Sequence, residues 1–165
     1  REILMTEERK RVHELLKSFD TVMLVTHRGN VELDARPMHV ARVDENCDVW
    51  FLSGADGKVA ELRDNAWAQI VAQDKDSSWL SLAGRVRISS RLEEIEGLWS
   101  EAYKVWFPRG KEDPTIRVLH FQSTSGEYWD QRGTNKVEYA LKAAAAFISG
   151  TEPRPGTDEH GKVGL

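Results

Sequence analysis

The chain has 165 residues, 40% of them hydrophobic, which suits one globular domain with a single substantial core. A formal net charge of −4 supplies no general attraction to nucleic acid or to an anionic membrane, so any anion must be caught by local groups. No apolar run approaches the roughly 20 residues that span a bilayer, the opening Arg-Glu-Ile-Leu-Met-Thr-Glu-Glu lacks a signal peptide's basic-then-apolar order, and the lone Cys47 can form no internal disulfide, so a reducing, cytoplasmic setting is expected.

Thr6 before Glu7 and Glu8 marks a helix start, and Val12, Leu15, Leu16 and Phe19 fall on one helical face. Thr21 to Arg28 is rich in β-branched residues and reads as a strand, turned by Gly29-Asn30 into a return strand over residues 33 to 43. Cys47 to Ser53 forms a third strand. Gly54, Asp56 and Gly57 then break the chain, and Asp56 caps a short helix that carries Val59 and Leu62 inward. Trp67 to Gln73 and Trp79 to Ser89 make a meander around the polar turn Asp74 to Ser78, with Gly84 marking a bend or bulge. Leu92 to Trp106 has helical spacing, interrupted by Gly97 and stopped by Pro108, so one helix or two short ones fit. The last strands run from Ile116 through Phe121 into Glu127-Tyr128-Trp129-Asp130. A closing helix capped by Thr134 ends at Gly150. Residues 151–165, rich in Gly, Pro and charge, are expected to be a disordered tail. Residues 1–150 are thus expected to form one α+β domain, about six antiparallel strands of a small barrel with helices at its ends.

Three features bear on chemistry. Arg36-Pro37-Met38 lies inside an otherwise strand-like segment; Pro37 places it at an edge, bulge or rim, where Arg36 is either an exposed surface residue or a planar fork for a phosphate. Ser53-Gly-Ala-Asp-Gly-Lys58 leads a buried strand into a helix N-terminus. Backbone N–H groups, a serine hydroxyl and a lysine there are the parts of a phosphate cradle, and equally of an ordinary strand-to-helix turn. The spacing is not that of a nucleotide-triphosphate P-loop. The third feature is six tryptophans. Trp50, Trp67 and Trp99 fit core or interface positions, whereas Trp129, among Glu127, Tyr128 and Asp130, suits the edge of a flat heterocycle. His39 follows Arg36 closely and is either a ligand neighbour or a structural histidine. No histidine pair has metal-ligand spacing, no bound metal is expected, and no Gly-x-Ser-x-Gly elbow is present.

In this order and spacing, Arg36-Pro37-Met38, the run Val-Trp-Phe-Leu-Ser-Gly-Ala-Asp-Gly-Lys-Val-Ala-Glu-Leu, then Ser-Trp-Leu-Ser-Leu-Ala-Gly-Arg-Val, then Trp106-Phe107-Pro108 and Glu127-Tyr128-Trp129-Asp130 resemble a known family. It is the general stress protein branch of the pyridoxamine 5'-phosphate oxidase-like, FMN-binding split-barrel proteins, and the likeness covers roughly residues 5 to 131. The resemblance implies a six-stranded split barrel that forms a homodimer, with FMN, or alternatively FAD, in each of two clefts at the subunit interface. It implies that Arg36 and Lys58 hold the flavin phosphate and that Pro37, Met38, Leu52 and Ser53 line the flavin. Trp129 is then offered by the partner chain.

Departures from the family pattern are equally informative. Ala41 stands where the oxidases have a substrate lysine, and Tyr103 is followed by Phe107 and Lys111 rather than by the Arg and Ser of a Tyr-x-x-x-Arg-x-x-x-Ser loop. Gln131-Arg132-Gly133-Thr134-Asn135 replaces an Arg-x-His-Asp-Arg type segment. The substrate-phosphate clamp is missing, which speaks against pyridoxamine phosphate oxidation. Two functions remain: a flavin oxidoreductase of unknown substrate and a non-enzymatic flavin binder that stores or senses the cofactor. Single-stranded nucleic-acid binding would need a basic groove with interleaved aromatics, which the acidic balance disfavours.

Overall fold

The computed structural model describes residues 6–75, 78–130, 150 and 160–165. Helix α1 (Glu7–Ser18) begins where Thr6 accepts a hydrogen bond from the Arg9 amide, and it buries Val12, Leu15 and Leu16. Strands β1 (Thr21–Arg28) and β2 (Glu32–His39) pair antiparallel. A short β3 (Arg42–Val43) pairs instead with β4 (Val49–Gly54). Helix α2 (Gly57–Asp64) follows, capped by Asp56, and then β5 (Trp67–Gln73) and β6 (Ser78–Ser89). Helix α3 (Leu92–Leu98) and a 3₁₀ turn (Glu101–Val105) precede β7 (Ile116–Asp130), one strand of 15 residues.

Strand order is β2-β1-β5-β6-β7-β4-β3. Its two ends are consecutive in the chain: the Val40 amide still bonds the Asp20 carbonyl, whereas the Ala41 amide bonds Trp50. At Val40–Ala41 the return run therefore changes partner from β1's side to β4, and this curls the sheet into a barrel. The described residues hold eight strands rather than the expected six, because the return run is split in two and a further strand, β8 (His160–Gly164), pairs with β7. Residues 160–164 thus depart from the disordered tail that composition suggested. The expected helix from Thr134 lies outside the described residues.

Cys47 also departs from expectation. It sits at φ 68 in the turn between β3 and β4 rather than starting a strand. Gly84 marks the expected irregularity: the β6–β7 register shifts between Ala83 and Gly84.

The core has two parts. β4 is buried on both faces: Val49 and Phe51 join the barrel interior with α1 and α2 residues. Trp50 and Leu52 pack on the other side with Ile95, Leu98, Tyr103 and Phe107, under α3 and the 3₁₀ turn. β1 and β5 alternate cleanly instead, leaving Met23, Trp67 and Val71 exposed on the barrel's outer face. Among the described residues no helix is long and apolar enough to cross a membrane.

Candidate functional site

Where β2 curls back towards β4, a cavity of about 320 Å³ opens beside the N-terminus of α2. Pro37, Met38 and His39 supply one wall, Leu52, Ser53 and Gly54 another, and Asp56 and Lys58 the end at the helix start. Lys58 is the one lysine or arginine among the described residues lining it. Its ammonium donates to Ser53 Oγ at 2.9 Å and to the Asp56 carboxylate, with only 13% of the side chain exposed. Asp56 also accepts from the Lys58 amide at 3.1 Å, so the cap that starts α2 also steers the lysine. A Cβ at Gly54 or Gly57 would meet nothing within 4 Å among the described residues, leaving the backbone open to a ligand. An ammonium, a serine hydroxyl and helix-terminal amides suit a phosphoryl group, so the donor set fits a flavin phosphate.

The structure separates Arg36 from this lining. Its Nη2 donates to Glu61 Oε2 at 3.0 Å and its Nη1 to Thr26 Oγ1, and Thr26 in turn donates to the same Glu61 oxygen. Glu61 lies one turn after Lys58 on α2, so both cations are tied to one helix, Lys58 at its start and Arg36 through Glu61. The Thr26 hydroxyl, with help from Arg36, holds the Glu61 carboxyl below the usual carboxylate range. β2 and β4 are not hydrogen-bonded neighbours, contrary to the simplest route by which Arg36 and Lys58 would meet.

Trp129 lies on β7, opposite Trp79, and stacks on His160 of β8 with ring centroids 5.2 Å apart; it is not among the residues lining this cavity. A larger hollow of about 410 Å³ lies on the outer face of β5 to β8, between Gln69, Ser81, Glu127 and Lys162, and includes none of the expected residues.

Sequence reasoning did not assign the cavity's remaining wall. Tyr103, Trp106 and Phe107 line it from the 3₁₀ turn and just beyond. His39 stands 5.7 Å edge-on to Tyr103 and stacks at 6.2 Å with the exposed Trp106. Tyr103 is 4% exposed, its hydroxyl has no hydrogen-bond partner among the described residues, and burial pushes its pKa up to about 12. In the sequence these aromatics show only helical spacing; their closeness to His39 depends on the barrel's curl. Phe107 is buried in the core and Lys111 pairs with Glu96 at 3.5 Å, so neither offers a cation to this cavity.

The sequence matches the family described as Pyridoxamine 5'-phosphate oxidase like over residues 7–154. No curated protein matches it. Among solved structures, a putative general stress protein 26 from Jannaschia sp. CCS1 aligns with a TM-score of 0.69 at 23% identity, covering 97% of this chain and 100% of that one. A protein related to general stress protein 26, from Clostridium acetobutylicum, gives 0.67 at 23% identity, over 75% and 89% of the two chains. The general stress FMN/FAD binding protein from Xanthomonas citri gives 0.63 at 25% identity, again over 75% and 89%. With the sequence match running from α1 past the end of β7 and the barrel shared with these structures, the chain belongs to the pyridoxamine 5'-phosphate oxidase-like family.

Proposed function

We propose that this protein binds FMN in the β2–β4–α2 cavity, with the phosphate towards Lys58 and Arg36 and a second copy of the chain closing the cleft. The observation that carries this reading is the convergence of Lys58, Ser53 and the α2 N-terminus with Pro37, Met38 and Leu52 on one cavity. The Xanthomonas citri structure, named as FMN/FAD binding, supports a flavin as the occupant. Bound flavin supplies the redox chemistry. The protein's residues bind the phosphate, present apolar strand surface to the ring and limit access of water.

The exposed outer face of β1 and β5 supports the dimer. Met23 lies between Pro37 and Val71 in the ladder, so an apolar row runs from the cavity wall across that face. In the dimer Trp129 of each chain is offered to the other's flavin. Among the described residues the cavity lining holds no second lysine or arginine to clamp a substrate phosphate, and Ala41 stands where the oxidases of this family have a substrate lysine, which favours a different redox partner or a binder without turnover over pyridoxamine phosphate oxidation.

Titration of the purified protein with FMN and with riboflavin, read by flavin fluorescence, tests the site. Lys58→Ala is expected to weaken FMN binding at least tenfold, the worth of a charged hydrogen bond, and to leave riboflavin binding alone. Equal FMN affinity in wild type and variant would remove Lys58 from the site. Reduction of the bound flavin by NAD(P)H, followed by repeated reoxidation, separates the oxidoreductase from the storage protein.

A further inference from the structure

Arg36 has a partner within the chain, and the partner is an anion. The guanidinium and the Glu61 carboxylate meet at 3.0 Å with 21% and 15% of their side chains exposed, so the pair is sheltered from water. Thr26, fully buried, locks the arrangement by accepting from Arg36 and donating to Glu61. The surrounding charges do not offset Glu61: Asp34 stands 4.0 Å from Arg36 and is itself met by Arg28 at 3.3 Å, and Lys58 carries Asp56. Glu61 keeps its charge at neutral pH, so protonation does not move it aside.

Carboxylate and phosphate oxygens are interchangeable acceptors for a guanidinium fork. We propose that Glu61 is an internal competitor for Arg36: it occupies the guanidinium as a built-in anion, and a phosphoryl ligand must exchange places with it. This rests on the reading of the cavity as the flavin-phosphate site. The apparent affinity of such a ligand is then reduced by the fraction of protein whose Arg36 is free. Glu61 thereby sets how tightly the protein holds a phosphorylated flavin without touching the ring. A flavin lacking phosphate does not compete with it.

The test compares wild type, Glu61→Gln and Thr26→Val in titrations with FMN and with riboflavin, alongside thermal melts. Glu61→Gln keeps the side chain's size and removes its charge; it is expected to tighten FMN binding about fivefold, the scale of one partly buried ion pair. Riboflavin affinity is expected to stay unchanged. Thr26→Val removes the hydroxyl that steadies Glu61 and is expected to shift FMN in the same direction by less. It also serves if Glu61→Gln folds poorly. FMN binding that is equal or weaker in these variants overturns the competitor role while leaving the flavin site standing; weaker binding would make Glu61 a positioning residue for Arg36. Wild-type protein that binds neither flavin overturns both readings at once.

Discussion

A side chain at position 84 has nowhere to go. A Cβ there would lie 2.5 Å from the Gln122 carbonyl oxygen and 2.7 Å from the Phe121 ring, because β7 carries an extra residue at the register shift and presses against β6. Gly84→Ala is therefore expected to cost about 1–3 kcal/mol, as overpacking of a tight contact does. Gly97 gives the opposite result. It sits inside α3 with nothing among the described residues within 4 Å of where a Cβ would stand, so Gly97→Ala is expected to stabilise by up to about 1 kcal/mol through helix propensity. Urea denaturation of the two variants measures both signs, and equal midpoints would show that the backbone at 84 yields freely. At this scale the sequence was partly legible. Lys58 and Ser53 are five residues apart across a strand-to-helix turn, and their contact follows from the turn itself. Glu61 as the partner of Arg36 was not, because that pairing needs α2 laid across β1 and β2.

Among the elements, those with a clean period were readable: α1 from its apolar face, β1 and β5 from alternation, α2 from its Asp56 cap. The split of the return strand was not. Val40 and Ala41 carry no breaker, and the change of partner there is decided by the position of β4. β8 was hidden for a different reason. Its sequence His-Gly-Lys-Val-Gly resembles a tail, and its strand form comes from docking on β7, where Gly161 lies so close to Tyr128 that a Cβ would stand 2.6 Å from the ring. Val163 and Leu165 then pack against the barrel core. Gly161→Ala is expected to release β8. Hydrogen exchange should show lost protection confined to residues 160–165 and their β7 partners Ser125 to Trp129, with β1 and β5 unchanged. Unaltered protection of β8 would mean that the Gly161 contact is not what holds the strand.

For the whole molecule, carboxylates held against hydrogen-bond donors govern the acid limit. Glu61 is held low first by the Thr26 hydroxyl, Glu94 first by that of Ser89, and Asp113 first by the Thr115 amide. A folded-state pKa below the unfolded value means that the unfolded chain binds the proton first, so stability is full above the ordinary carboxylate range and falls as pH drops below about 4. Urea midpoints are expected to be flat from neutrality into mild acid and then to fall. Glu61→Gln should shallow that fall, and an identical acid slope in wild type and variant would exclude Glu61 from it.

The proposed dimer makes the last demand on the molecule as a unit. A barrel whose interior is filled by β1 and β5 inward residues leaves Met23 and Val71 directly opposite one another on the outer face, both partly exposed and next to Pro37 of the cavity wall. A single lysine at position 71 points away from the core and leaves Ala72 and Ile70 undisturbed, so the isolated chain is expected to fold as before. Two such lysines near a closed interface would each need to be desolvated, a cost of several kcal/mol. Val71→Lys is therefore expected to yield a monomer by light scattering, with an unchanged melting cooperativity. If the cleft needs the second copy, that monomer also loses FMN affinity although Lys58 and Ser53 are intact. A Val71→Lys protein that remains dimeric would place the interface on another face, whereas a monomer that binds FMN as tightly as wild type would show the cavity of one chain to be sufficient.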